Sequence, residues 1–138
     1  MKKINENHEI LKLDFDFKNR DLLKKILKKR LSVLRILGID VLSCFVFETC
    51  KGYHVYLKIN GNFSYIEIIA LQALLGSDYK REAFNLKRFR SGLGKEWNIL
   101  FEKKFDENGK KIYEEKELKD LSNEIFLLFK KKCENNEI

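Results

Sequence analysis

Two aspartates separated by a single residue, Asp14 and Asp16, close an apolar run near the start of the chain, Ile10-Leu11-Lys12-Leu13-Asp14-Phe15-Asp16-Phe17. Apolar and polar residues alternate in this run, which is typical of a strand with one buried face. Both carboxylates then project from the polar face. Carboxylate oxygens suit magnesium and manganese. The pair therefore predicts a divalent-metal platform; the alternative is a solvated polar face.

A second group of polar residues begins at Lys51, in the segment Lys51-Gly52-Tyr53-His54-Val55-Tyr56. A glycine just before a predicted strand lets a ligand phosphate approach the backbone, and the lysine beside it adds positive charge. This context favours His54 as a ligand-binding residue. The alternative is an ordinary strand histidine.

Further charged residues come later in the chain. Arg88 and Arg90 alternate in a predicted strand over 86–91, where they share one face and could neutralise phosphates; the alternative is an exposed basic strand. Asp78 is a candidate third metal ligand, or else the cap of a helical turn. Glu102 is a second candidate for that third ligand.

The hydrophobic spacing predicts the order strand, helix, strand, strand, helix, strand, strand, helix. Asn19 caps the first helix, Ser64 caps the second, and the second and third strands form a hairpin through Lys51-Gly52. A further helical turn is possible over 77–85. The predicted strands span 10–17, 40–50, 53–60, 86–91 and 97–105, and the helices span 19–38, 64–76 and 114–133.

This order predicts an α+β fold of the split βαβ type, ferredoxin-like or RNA-recognition-motif-like, with a mostly antiparallel sheet and helices on one face. The first and third strands are neighbours in that fold, and the fourth lies on the other side of the first. Asp14 and Asp16 then share the open face with His54 and, if the fourth strand is oriented the same way, with Arg88 and Arg90.

The composition predicts one domain over residues 1–138, because a chain of this length with 44% hydrophobic residues can build a core of its own. The net charge of +7 suits a polyanionic partner, although a basic protein can also lack one. The chain shows no long apolar run and no signal peptide, so we expect a cytoplasmic protein without a membrane partner. Its three cysteines lack zinc-ligand spacing, which predicts reduced thiols and no zinc.

Three segments resemble motifs of the archaeo-eukaryotic primase superfamily, which includes small archaeal, plasmid and viral primase-polymerases. Residues 11–16 are similar to its first motif, an apolar strand ending in Asp-x-Asp. Residues 51–56 are similar to its second, a basic residue and a glycine followed by an apolar residue and a histidine. Ser77-Asp78 and the later segment Lys87-Arg88-Phe89-Arg90-Ser91-Gly92 look like its third, an acid ahead of an arginine-bearing strand.

The resemblance implies a metal-dependent nucleotidyltransferase, a primase or DNA polymerase core that acts in DNA replication or repair. It implies a site with two magnesium or manganese ions, nucleotides as substrates, and single-stranded or template-primer DNA as a partner, with RNA as the alternative. Other replication subunits are expected partners. The implied catalytic and metal-binding residues are Asp14, Asp16 and Asp78, and the implied nucleotide-binding residues are Lys51, Gly52, His54, Arg88 and Arg90.

Two other functions remain open at the level of sequence. Residues 51–56 also resemble the aromatic motif of RNA-recognition-motif domains, in which rings stack on the bases of a single strand. Asp14 and Asp16 argue against this reading, because bare carboxylates repel phosphate. The other is a replication-accessory protein that keeps the fold without the chemistry.

Overall fold

The computed structural model describes residues 7–92, 103–105 and 111–135, with side chains for residues 7–92 and 115–130. Six strands and four helices lie in these segments. In chain order they are β1 (His8–Phe15), α1 (Arg20–Ile36), β2 (Val41–Glu48), β3 (Tyr53–Asn60), α2 (Tyr65–Leu74), α3 (Tyr79–Arg90), β4 (Lys103–Phe105), β5 (Lys111–Glu114), β6 (Lys116–Glu117) and α4 (Lys119–Asn135).

An antiparallel sheet with the order β1-β3-β2-β6 forms the centre of the fold. Because β3 lies between β1 and β2, the unit β1-α1-β2 is a split βαβ, and the predicted α+β fold class is confirmed. The predicted pairing of the first and third strands is also confirmed. The predicted position of the fourth strand is wrong: the last strand of the sheet, β6, pairs with β2 and not with β1.

The hydrophobic core lies on one face of the sheet, between the strands and helices α1 and α4. Asn19 caps α1 by accepting a hydrogen bond from the backbone of Leu22. Four leucines of α1 recur at helical spacing and form one buried stripe: Leu23, Leu27, Leu31 and Leu34. The buried apolar residues from these elements are Leu11, Leu13, Phe15, Leu23, Leu27, Leu31, Leu34, Cys44, Val46, Tyr53, Val55, Leu57, Ile59, Leu121, Ile125 and Phe129.

Helix α2 begins at the predicted cap, Ser64, which forms a capping box with Glu67. Two of its apolar residues, Ile66 and Leu74, are about half exposed. The helix is apolar nearly all round, so its periodicity did not define one face. The residues that it buries are Ile68, Ile69, Leu71 and Gln72.

The predicted strand over 86–91 is wrong, because these residues lie in or just after helix α3. Asp78 caps this helix by accepting a hydrogen bond from the backbone of Arg81 at 3.2 Å. The buried face of α3 is polar, and it consists of Arg81, Glu82 and Asn85. The helical turn predicted over 77–85 is confirmed as the first part of α3. The rest of the helix was predicted as a strand because apolar and charged residues alternate around Phe89.

The C-terminal helix α4 begins at Lys119, five residues later than predicted, because residues 111–114 and 116–117 are strands. The predicted strand over 97–105 coincides with β4 at residues 103–105, which pairs with β5. Residues 97–102 of this predicted strand lie outside the described residues. No helix in the described segments is long and apolar enough to cross a membrane.

Candidate functional site

Asp14 and His54 are direct cross-strand partners at one end of the sheet, on the face away from the core. Their neighbours Leu13, Phe15 and Val55 point to the core, so the alternation of the strands turns both polar side chains to the open face. Oδ1 of Asp14 lies 3.6 Å from Nε2 of His54. The structure thus brings Asp14 and His54 together on one face of the sheet, as predicted.

The other ring nitrogen of His54 contacts a residue that the sequence did not point to. Nδ1 lies 2.7 Å from Oε2 of Glu115, and the hydroxyl of Tyr56 donates to both Glu115 oxygens at 3.2 Å. Strand β6 pairs with β2 at Phe47, which brings Glu115, just before β6, to this face. The sequence carried no signal for this contact, because Glu115 fell within a predicted helix.

The backbone groups on the outer edge of β1, where a fourth strand was predicted, form hydrogen bonds with residues of α2, of α3 and of the turn between them. Gln72 Oε1 accepts from the Lys12 amide at 2.9 Å, and Ser77 Oγ accepts from the Asp14 amide at 2.9 Å. Nη1 of Arg81 donates to the Lys12 carbonyl, and the Asp78 amide donates to the Asp14 carbonyl, both at 2.6 Å. We call this set of contacts the edge clamp. It holds the Asp14 backbone from the side opposite to His54.

A buried polar network supports the edge clamp. The Glu82 carboxylate accepts hydrogen bonds from Arg81 at 2.6 Å, Gln72 at 2.8 Å and Asn85 at 3.0 Å. All four side chains are buried, and Arg88 donates to Asn85 at 3.1 Å. Because both oxygens of Glu82 have partners, the ion pair with Arg81 is held in one geometry.

The three predicted acids, Asp14, Asp16 and Asp78, line one open cleft of about 350 Å³. Asp14 is the next-to-last residue of β1, Asp16 follows the strand, and Asp78 caps α3 after the tight turn Gly76-Ser77. Gly76 has a positive φ of 95° and packs against Phe15, so the turn brings the start of α3 to the end of β1. The chain segments that the sequence predicted to form the acid site are therefore adjacent.

The pKa of Asp14 responds to its burial and to the charged residues around it. Burial raises the pKa of Asp14, and His54 and Arg81 oppose the rise; Asp78 and Asp16 add to it. The carboxylates therefore repel one another across the cleft. A divalent cation bound there would remove the repulsion.

A cation that the sequence analysis missed also lines the cleft. Arg30, on the outer face of α1, borders it beside Asp16 and Asp78, and its Nη1 donates to the Leu74 carbonyl at 2.8 Å. No sequence signal distinguished Arg30 from the other basic residues of this Lys-rich helix. Its fixed guanidinium is suited to bind an anion beside the acids.

Gly52 and Lys51 lie in the turn that joins β2 to β3. A Cβ atom at residue 52 would stand 1.8 Å from the Phe15 carbonyl oxygen, so glycine is required there by the close approach of β1. Hydrogen bonds between Thr49 and Gly52 close the turn, and Lys51 is exposed on it. The turn therefore presents a lysine near the end of β1, and a phosphate contact at Lys51 and Gly52 remains a prediction.

Arg88 and Arg90 do not share one face beside the carboxylates, as the predicted strand required. Both belong to the last turn of α3, where residues two apart point in different directions. Arg88 is tied to Asn85, and exposed Arg90 lines a separate depression with Leu86 and Lys87. Their contact with a nucleotide remains a prediction. The predicted strand that would have placed both side chains on one face is not present.

The acids that line the cleft offer carboxylate oxygens, the kind of ligand that magnesium and manganese take. Among the residues whose side chains are described, no group of three His, Cys, Asp or Glu is arranged to hold a metal ion. Magnesium commonly binds through one or two carboxylates together with water and substrate phosphates. Glu102, the alternative third ligand, lies outside the described residues.

Comparisons of the chain with protein-family models, with curated proteins and with solved structures found no match. The features of the chain that point to a function are therefore the cleft, His54 and the contacts that hold them.

Proposed function

We propose that the chain is a metal-dependent nucleotidyltransferase of the primase or DNA polymerase type that acts in DNA replication or repair. The pairing of Asp14 with His54 across β1 and β3 carries this proposal. Asp16 and Asp78 line the same cleft as Asp14. Carboxylates beside a histidine and basic residues form the kind of surface that binds a metal-bound triphosphate.

Each residue has a defined role in the proposed reaction. Asp14, Asp16 and Asp78 would hold magnesium or manganese, which would neutralise the phosphates and activate the attacking 3′-hydroxyl. His54 would donate a hydrogen bond to a phosphate oxygen, and Lys51 would add charge from the turn beside it. Arg30 lines the cleft and is better placed for this work than Arg88 or Arg90.

The proposal is tested by manganese and nucleotide binding together with primer synthesis or extension on a single-stranded template. The double variant Asp14→Asn/Asp16→Asn should lose both metal-dependent binding and product formation. Asp40→Asn is the matched control, because this exposed aspartate lies beside Asn60, at the other end of β3 from His54. Absence of nucleotide binding and of extension by the wild-type protein with either metal would refute the enzyme function.

A second function, the binding of single-stranded nucleic acid without catalysis, is favoured by one observation. The open face continues from Tyr56 to Phe45, which pairs with Tyr56 and is 47% exposed, and Phe47 packs edge-on against Tyr56 at 5.4 Å. Exposed rings on a sheet can stack on bases. Under this function Asp14→Asn/Asp16→Asn should bind single strands as well as the wild type or better, and Phe45→Ala should bind them more weakly.

A further inference from the structure

His54 lies between two carboxylates that differ in their distance from the ring. Nδ1 is 2.7 Å from Glu115, within hydrogen-bond distance, whereas Nε2 is 3.6 Å from Asp14, outside it. The His54 side chain is 6% exposed and that of Glu115 is 11% exposed. The short contact is thus shielded from water and stronger than a surface pair.

The chemistry of this contact defines which nitrogen of His54 carries a proton. An ionised carboxylate can only accept hydrogen bonds, so Nδ1 must be the donor to Glu115. The hydroxyl of Tyr56 donates to the same carboxylate and holds it in place. The ring of Tyr56 also stands perpendicular to the imidazole, with a centroid distance of 6.4 Å. Nε2 is then directed toward Asp14, at the edge of the cleft.

We propose that Glu115, held by Tyr56, is a positioning residue that fixes the His54 ring with Nε2 toward the cleft, where the phosphates of a nucleoside triphosphate bind. The inference rests on the proposed nucleotidyltransferase function and adds to it a residue from outside the three motifs. A ring turned by 180° would present carbon atoms to the ligand. Carboxylates that orient a histidine in this way commonly contribute about 10- to 100-fold to ligand affinity or activity in metal sites.

The first experiment measures the proton on the ring by ¹⁵N–¹H NMR of the histidines at one neutral pH. The chain has only two histidines, and exposed His8 serves as an internal reference. We expect Nδ1 of His54 to be protonated in the wild type and unprotonated in Glu115→Ala. With the nucleotide bound, Nε2 of the wild type must carry a proton as well, because only a protonated Nε2 can donate to a phosphate oxygen. An Nδ1 without a proton in the wild type, or one unchanged in Glu115→Ala, would overturn the inference.

The second experiment measures the affinity for a nucleoside triphosphate with manganese. Glu115→Ala and Glu115→Gln should weaken binding by about 10-fold or more, Tyr56→Phe should weaken it less, and Glu115→Asp should restore part of the loss. Glu117→Gln is the matched control, because it removes the same charge two residues away on β6. A circular dichroism spectrum like that of the wild type identifies the variants that are folded.

The two experiments separate failure of the inference from failure of the proposed function. If the wild type binds the nucleotide and folded Glu115→Gln and Tyr56→Phe bind it equally well, Glu115 has no positioning role and the nucleotidyltransferase proposal stands. If the wild type binds no nucleotide, the proposed function and the phosphate part of the inference both fail. The NMR experiment then still decides whether Glu115 orients His54.

Discussion

The backbone hydrogen-bonding groups on the two edges of β1 find their partners in different ways. The inner edge pairs with β3 along the whole strand, from His8 opposite Asn60 to Phe15 opposite Tyr53. The outer edge is held by the edge clamp, in which three of the four contacts use the side chains of Gln72, Ser77 and Arg81. A backbone ladder tolerates almost any residue, whereas a clamp of side chains depends on each residue in it.

The difference explains how the carboxylate cleft is built. A fourth strand beside β1 would have continued the sheet across the position of the cleft. The edge clamp satisfies the same backbone groups with the end of α2 and the start of α3, so that Asp78 arrives beside Asp14. Among the described residues, β1 is the edge strand of the sheet, and Asp78 reaches Asp14 from the start of α3.

The largest effect on stability is expected from Arg81→Met, which removes the charged member of the edge clamp. The substitution breaks the hydrogen bond to the Lys12 carbonyl and leaves the buried Glu82 carboxylate without its cation. Loss of one partner of a buried ion pair costs about 3 to 5 kcal/mol. Urea unfolding should show a free energy of unfolding lower by this amount.

Two further variants sharpen this test. Arg81→Met/Glu82→Leu should recover part of the loss, because no unpaired charge stays buried. Arg20→Met, at an exposed position at the start of α1, should change stability by less than about 0.5 kcal/mol. Equal effects of Arg81→Met and Arg20→Met would show that the clamp is not a source of stability.

The inner edge should be most sensitive at Gly52. An alanine there would place its Cβ 1.8 Å from the Phe15 carbonyl oxygen, so the β2–β3 turn or the end of β1 must move. We expect Gly52→Ala to lower the free energy of unfolding by about 3 kcal/mol, near the upper end for overpacking. Chemical denaturation is the measurement.

Gly38→Ala is the control for Gly52→Ala. Gly38 has a φ of 70° and no atom within 4 Å of a built Cβ. The decrease in the free energy of unfolding of Gly38→Ala should therefore reflect only left-handed backbone strain, about 1 to 2 kcal/mol. If Gly52→Ala is no worse than Gly38→Ala, the close approach of Gly52 to β1 is not required for the fold.

A smaller effect is expected at Ser77, in the edge clamp beside Asp14. Ser77→Ala removes the acceptor of the Asp14 amide, and an unsatisfied, partly buried amide costs about 1 to 2 kcal/mol. Ser32→Ala is the control, because the Ser32 hydroxyl makes only a long, exposed contact of 3.4 Å. Thermal unfolding of both variants measures the difference, and equal melting temperatures would argue against a role for Ser77 at this edge.

The parts of the fold with apolar periodicity could be predicted from the sequence. Strands β1 and β3, helix α1 with its Asn19 cap, and the shared face of Asp14 and His54 all follow from alternating or helical spacing. Helix α3 could not be predicted in this way, because its buried face is made of Arg81, Glu82 and Asn85. A polar buried face has no apolar signature, so only the capping residue Asp78 indicated where the helix begins.

The candidate site was predictable only where it follows strand register. Asp14 and His54 are separated by 40 residues along the chain, and the alternation of two paired strands is enough to bring them together. Glu115 and Arg30 reach the site through the pairing of β6 and the packing of α1, which depend on the assembled fold. Their positions therefore required the three-dimensional structure.

Asp14→Asn is expected to have the smallest effect on the free energy of unfolding, and this effect is an increase. Because the pKa of Asp14 is raised above its ordinary value of 3.8, the folded state holds the proton more tightly than the unfolded state. The free energy of unfolding of the wild type then falls as the pH rises from about 3.8 through the raised folded pKa. The neutral asparagine removes this fall.

Asp14→Asn should thus be more stable than the wild type at neutral pH, and the two should converge below pH 3.8. The gain should be below about 1 kcal/mol, because 31% of the Asp14 side chain stays exposed to water. Urea unfolding at several pH values measures it, with Asp40→Asn as the control. Manganese should stabilise the wild type and not Asp14→Asn if Asp14 binds the ion. Asp14 would then lower the stability of the metal-free protein and raise the stability of the metal-bound protein, as expected of a binding residue. If Asp14→Asn is instead less stable than the wild type at neutral pH, Asp14 is a structural residue of the edge clamp.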